Sequence, residues 1–270
     1  MAGVLYIVAT PIGNLSDITF RAIEVLNSVD LILAEDTRTS EPLLKKYEIK
    51  GHVESYHKFN EKEKTASLIE KLINGQNIAL ISDAGTPLIS DPGNILVDEA
   101  VKCGIKIIPV GGISAVTTFL SSISRHDEDF KFIGFLPRVK NQIENILKEN
   151  RCENLVFYES PLRIKETFEI ILNFNKNATI SIGRELTKKF EEIKTGKIQD
   201  IIDYYEKNLL KGEIVCMVHK SDPDNTLIIE EKVKALINKG FSQKDIATIL
   251  DITDGACKNL VKEIYLKQKK

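Results

Sequence analysis

Short apolar runs alternate with longer amphipathic ones along the first hundred residues, and that ordering leaves few folds open. Apolar segments at residues 4–10, 31–34, 78–81 and 105–110 read as strands. Helical patterns fall between them, from about Asp17, ahead of Tyr47 and over residues 62–73. Strand and helix in turn are the mark of a parallel α/β sheet. Boundary residues agree. Asn60 with Glu63 has the spacing of a capping box, Asp91 before Pro92 reads as a cap before a first-turn proline, and that helix is expected to stop at Gly104.

The second half repeats the alternation less regularly. Gly111 and Gly112 open a helix expected to reach about residue 123, followed by a polar stretch through Asp129. Strands are expected near residues 155–158, 179–183 and 214–218, with a proline-started helix after Ser160. A further strand over residues 190–195 would make the sheet mixed. Beyond Asn225 the pattern is purely helical, and three short helices fit residues 227–268, broken at Gly240 and around Thr253. The reading is therefore an N-terminal α/β lobe over 1–122, a C-terminal α/β lobe over 123–225 and a helical tail over 226–270.

Composition removes several function classes. Hydrophobic residues at 43% and charged residues at 28% are ordinary for a folded soluble chain with a substantial core. Cys103, Cys152, Cys216 and Cys257 are widely spaced with no CxxC pair, which fits neither a disulfide framework nor a zinc knuckle. The histidines, His52, His57, His126 and His219, share no ligand spacing, so no metal is expected. The first twelve residues lack the cationic start of a signal peptide, and no apolar run approaches the ~20 residues of a membrane helix. A cytoplasmic address follows. The net charge of −2 is unevenly spread. Residues 226–270 hold nine Lys against six Asp and Glu, so the tail is the basic part.

Two turns at strand ends carry the chemistry. Thr10-Pro11-Ile12-Gly13-Asn14 lies where a dinucleotide fold would place GxGxxG, but it has one glycine where that fingerprint needs three. Such a turn cannot bring several amides against a pyrophosphate, which favours a ligand without phosphates. The stronger signal is Ser82-Asp83-Ala84-Gly85-Thr86-Pro87 and its continuation to Gly93, a small and polar loop at the carboxyl end of a strand. Ligands of open α/β sheets bind at that end. Helix capping accounts for Asp91 and Pro92 but not for Asp83, Gly85 and Thr86.

The segments VATPIGNLSDITFRA, LAEDTRTS, SDAGTPLISDPG, FYESPLR and GRELTKKFEE occur in this order. Together they resemble the ribosomal small-subunit methyltransferase I family, 2'-O-ribose methylases within the tetrapyrrole methylase superfamily. The likeness runs from about Leu5 to Val218, and the helical tail resembles that family's ending. It implies a two-lobed class III methyltransferase fold, a homodimer, and S-adenosylmethionine bound in the cleft between lobes. The cofactor loop aligns with Asp83, Ala84, Gly85, Thr86 and Pro87, and a second small-residue turn with Gly112, Ser114 and Ala115. Gly111 and Ile113 stand where the family generally has prolines. Thr10, Pro11 and Tyr158 are candidates for the same site.

Methyl transfer from a sulfonium is an in-line displacement, so the protein must chiefly align the reacting atoms away from water. A ribose hydroxyl also needs a proton acceptor or orienting group, for which Glu35, Glu159, Glu185 and Lys188 are candidates. Each has a plainer reading. Glu35-Asp36-Thr37-Arg38 also reads as a helix cap, and the run from Arg184 to Lys189 also reads as a surface charge run. An RNA substrate, 16S rRNA or the small ribosomal subunit, would meet Arg38, Arg184, Lys188, Lys189, Lys258 and Lys262. The tail itself fits either a nucleic-acid module or a helical hairpin over the second lobe. A small tetrapyrrole-like acceptor on the same scaffold, or a non-catalytic RNA-binding relative, are the competing readings.

Overall fold

The computed structural model describes residues 2–125, 129–208, 210–220, 225–250 and 264–265. The expectations for His126, Thr253, Cys257, Lys258 and Lys262 lie outside the described residues.

The first lobe runs β1 (Val4–Val8), α1 (Phe20–Ser28), β2 (Leu31–Ala34), α2 (Thr37–Lys46), β3 (Val53–Ser55), α3 (Glu61–Ile73), β4 (Ile78–Ile81), α4 (Asn94–Lys102), β5 (Lys106–Val110) and α5 (Ala115–Leu120). The strands pair in the order β3-β2-β4-β1-β5, all parallel. Every residue of β2 and β4 is buried, because helices cover both faces of a parallel sheet. Parallel pairing also puts the turns after β1, β2, β4 and β5 on one edge, where ligands of such sheets bind.

The second lobe carries β6 (Lys131–Phe135), α6 (Lys140–Glu149), β7 (Leu155–Glu159), α7 (Ile164–Phe174), β8 (Thr179–Arg184), β9 (Glu192–Lys197), α8 (Ile198–Lys207) and β10 (Ile214–Val218). Its order is β6-β7-β10-β8-β9; β6 and β7 are parallel and the other pairs antiparallel, so the sheet is mixed, as the strand before residue 195 implied. A separate apolar cluster joins the lobes. Ile12, Phe119 and Leu120 from the first pack with Val156, Leu186 and Met217 from the second. Beyond them, α9 (Asn225–Asn238) and α10 (Gln243–Ile249) form a small core of their own around Val233, Ile246 and Ile264.

Several boundaries differ from the sequence expectation, each for a local reason. The helix after Asp91 starts at Asn94, capped by Gly93 at φ 127°, a conformation that only glycine adopts without strain. Asp91 is thereby released toward the cleft. Asn60 makes no capping box: its Oδ1 accepts the His57 amide at 2.8 Å, closing the turn before α3. The first helix begins at Phe20, capped by Thr19, after a 3-10 turn at Leu15–Asp17. Ser160 and Pro161 form a turn that precedes α7 rather than its first residues. The helix after Gly112 ends at Leu120, short of residue 123.

Candidate functional site

The turns at the sheet edge are tied to one another. Thr10 N–H donates to the Gly85 carbonyl at 2.9 Å, Gly85 N–H returns a bond to the Thr10 carbonyl at 3.1 Å, and Thr10 Oγ1 donates to the Ser82 carbonyl at 3.1 Å. Gly85 sits at φ 77°, so a side chain there is strained. Gly112 serves by close approach, since a Cβ on it would lie 2.8 Å from Ala9 Cβ. Thr10 and Gly112 thus build the frame, and Pro11 and Pro87, like them, are not among the residues lining the cavity. The cavity wall itself comes from Asp83, Ala84, Gly85, Thr86, Ser114 and Ala115 of the first lobe, all anticipated, and Tyr158 and Glu159 of the second.

This cavity has a volume of about 450 Å³, within the usual range for small-molecule sites. Five carboxylates line it, Glu35, Asp83, Asp91, Glu159 and Glu213, and burial shifts the first three. Burial raises the Glu35 pKa above the ordinary carboxylate value, and the nearby Asp83 and Asp91 charges raise it further. Burial likewise raises Asp83, opposed by the Asp36 amide that donates to its Oδ1 at 3.0 Å, and raises Asp91. Tyr158 is pushed to about 12 by burial and by the charges of Asp91 and Glu213, so its phenol is neutral at physiological pH. The site is therefore acidic, partly desolvated and built from small residues, a surrounding suited to a cationic ligand without phosphates.

The remaining candidates separate by their partners. Glu159 lines the cavity, yet its side chain is fully buried. Its Oε1 accepts the Ser160 amide at 2.9 Å, and its Oε2 accepts from Thr167 Oγ1 at 2.9 Å and meets Arg163 Nη2 at 3.3 Å. Glu185 and Lys188 stand just beyond the wall. Glu185 and Thr187 both hold left-handed backbone, at φ 50° and 65°. That strained turn is pinned because Glu185 Oε1 accepts both the Glu213 amide and Lys188 Nζ at 3.0 Å, while Lys188 Nζ also reaches Glu213 Oε2 at 3.0 Å. Thr187 Oγ1 accepts the Asn14 amide at 3.1 Å, so the turn also ties the second lobe to the first.

Of the basic residues, Arg38 is largely exposed and donates from Nε and Nη2 to Asp36, holding that carboxyl down at about 2. Arg184 is taken up by Glu192 at 2.6 Å, and the Lys189 ammonium sits over the Phe190 ring. None of the three lines the cavity. Sequence reasoning missed Asp91, Phe135, Leu186 and Glu213 as cavity residues. Asp91 had been absorbed by its reading as a cap. Glu213 carries no local signal, because it reaches the cavity through its pairing with Glu185, 28 positions away.

The sequence profile of the Tetrapyrrole (Corrin/Porphyrin) Methylases matches residues 4–202. A ribosomal RNA small subunit methyltransferase I of Halalkalibacterium halodurans is 41% identical over 97% of this chain and 94% of its own length. The protein of that name from Haemophilus influenzae is 44% identical over 98% and 97%. Among solved structures, a diphthine synthase superposes with a TM-score of 0.65 over 81% of this chain and 91% of its own, at 15% identity. A cobalt precorrin-4 methyltransferase of cobalamin biosynthesis gives 0.59 over 80% and 94%, also at 15%. At that identity the two structures speak for the fold, while the full-length relatives place the sequence: the chain belongs to the tetrapyrrole (corrin/porphyrin) methylase family and, within it, groups with the ribosomal RNA small subunit methyltransferases I.

Proposed function

We propose that this chain uses S-adenosylmethionine to methylate the ribose 2'-hydroxyl of a cytidine in the decoding region of 16S rRNA. The observation that carries the donor is the acidic cavity itself. Glu35, Asp83 and Asp91 face about 450 Å³ of space walled by the small residues Ala84, Gly85, Ser114 and Ala115. These residues fit the cofactor: carboxylates complement its cationic amino and sulfonium groups, and Gly85 on the wall admits close backbone approach. When bound, S-adenosylmethionine supplies an electrophilic methyl group. The RNA acceptor is supported by the names of the relatives that match over nearly their whole length.

The protein's own part is alignment, water exclusion and handling of one proton. The bonds between Thr10 and Gly85 hold the first and third turns in fixed relation, so the wall does not need to reorganise when it fills. Among the four proton-handling candidates, Glu35 faces the cavity without a cationic partner among the described residues, and its raised pKa makes it a better base than an ordinary carboxylate. Glu159 has both oxygens occupied, and Glu185 and Lys188 neutralise each other beside the wall. We assign Glu35 the proton and the other three the positioning of the cleft. Arg38 and Lys189, both exposed, are suited to RNA phosphates, with Lys258 and Lys262 of the tail.

We also take residues 1–122, 123–225 and 226–270 as the working units, a homodimer as the assembly and the cytoplasm as the location. No helix among the described residues is long and apolar enough to cross a membrane. Light scattering at micromolar concentration tests the dimer. The function is tested by incubating the pure protein with methyl-labelled cofactor and either small ribosomal subunits lacking the modification or precorrin-type acids. Label in 16S rRNA, mapped to a cytidine 2'-oxygen, is the expected result. Label in the tetrapyrrole acid alone would overturn the assignment.

A further inference from the structure

The cleft carries an aromatic feature in addition to the turns assigned to the donor. In β6, Phe132 and Phe135 are three residues apart, so in a regular strand they would point to opposite faces. The register with β7 breaks that rule. Phe132 pairs with Val156 and Phe135 with Tyr158, three steps on one strand against two on the other, which is a β-bulge. Gly134 sits in it at φ 69°, where a side chain would be strained. As a result both rings meet Tyr158, with centroids at 5.0 Å and 5.5 Å. Phe135 nonetheless stays 58% exposed and lines the cavity. Bulges of this kind re-aim side chains beside active sites.

The end of this strand is also held rigidly. Arg163 donates to the Leu136 carbonyl from both terminal nitrogens at 3.2 Å and to the Pro137 carbonyl at 2.6 Å, while facing the buried Glu159 carboxylate. The two residues that follow Phe135 are thus clamped to the residue that opens α7 and, through Glu159, to β7. Across the mouth, Ile89 lines the same cavity and is 58% exposed, and a Cβ on Gly134 would lie 3.5 Å from Ser90 Oγ, so that loop abuts the bulge. Phe135 on β6 and Tyr158 on β7 belong to the second lobe, so the feature lies across the cavity from the first-lobe turns assigned to the donor. A fixed, half-exposed ring at the entrance to a site suits a flat apolar partner arriving from solvent.

We infer that Phe135 and Tyr158 form a stacking shelf for an unstacked nucleobase of the RNA acceptor. This rests on the RNA reading above and extends it, since a ribose can enter the cleft only if its nucleotide leaves the stack, and the freed base then needs a new face. Arg163 is a positioning residue that acts through the strand end.

The chain has no tryptophan, so Phe135→Trp adds a single indole at the shelf. Its fluorescence should be quenched by a short oligocytidylate added to the cofactor-saturated protein. In the methylation assay, Phe135→Ala should raise KM for small subunits about tenfold, consistent with the loss of one base–aromatic stack. Phe135→Ala should unfold at the wild-type urea midpoint and Phe135→Tyr should restore KM, which a general loss of structure would not allow. No quenching by the oligonucleotide, or an unchanged KM in Phe135→Ala, would overturn the shelf. A wild-type protein that fails to label subunits counts against the proposed function, whereas an indole indifferent to oligocytidylate counts against the shelf alone.

Discussion

Arg163→Met strips the buried Glu159 carboxylate of the cation that faces it. The Glu159 side chain is fully buried and that of Arg163 is 27% exposed, so the pair is half shielded from water. Removing one partner of a buried pair costs about 3–5 kcal/mol, because the remaining charge keeps its desolvation penalty without its compensation. Here Ser160 N–H and Thr167 Oγ1 still donate to the carboxylate, and water can reach the Arg163 side, so the lower end applies, about 3 kcal/mol. The Leu136 and Pro137 carbonyls lose a donor as well, adding about 1 kcal/mol. Urea unfolding followed by circular dichroism should therefore show a loss of roughly 3–4 kcal/mol with an unchanged slope. Adding Glu159→Gln should recover at least about 1 kcal/mol, since the neutral amide no longer needs the cation. If Arg163→Met alone costs under ~1 kcal/mol, or the double variant is simply the sum of the two singles, the charge of Glu159 is not what Arg163 compensates.

Asp83→Ala and Gly85→Val should each weaken S-adenosylmethionine binding at least tenfold, about 1.4 kcal/mol, in proteins that still fold; calorimetry reads this, and unchanged affinity in both would remove the loop from the site. Glu35→Gln should raise the melting temperature at pH 7 and lose that advantage below about pH 4. The sign follows from burial: a carboxyl with a raised folded pKa contributes stability below its unfolded pKa and loses it as pH rises through the folded one, so a permanently neutral amide gains only on the alkaline side. The same variant should flatten the acid limb of the kcat/KM profile, and an unaltered limb would exclude Glu35 as the proton acceptor. Deleting residues 226–270 should spare cofactor affinity but slow methylation of subunits and reduce the salt dependence of RNA binding, as expected if a separately cored, basic module supplies phosphate contacts. Unchanged rate and salt slope in a folded truncation would make the tail a structural cap.

Much of the frame was legible because its signals are local. The fully apolar runs of β2 and β4, the helical periods between them, the Asp36 cap of α2 and the Gly104 stop all depend on residues within a few positions of one another. The turn at Asp83–Gly85 stands out for the same reason, as small residues after a buried strand, and these residues line the cavity. Other elements had weaker local signals. The strand Lys131–Phe135 has no clean period because a glycine bulge interrupts it, and Val53–Ser55 is too short to show one.

What the tertiary structure decided is which of these turns face each other and what each side chain does there. Asp91 reads as a helix cap until Gly93 takes the cap position and leaves the carboxyl facing Glu35 and Asp83. Glu159 reads as a free carboxylate at a strand end until Arg163 and Thr167 close around it. Glu185 and Lys188 read as a surface charge run until Glu213, just before β10, arrives to bind both. Phe135 gains its neighbours only through the bulge. Local propensity can place a residue on a strand or at a turn, but burial, pairing and shifted pKa values come from atoms contributed by distant parts of the chain. Those distances are set only when the two sheets close on their shared apolar seam.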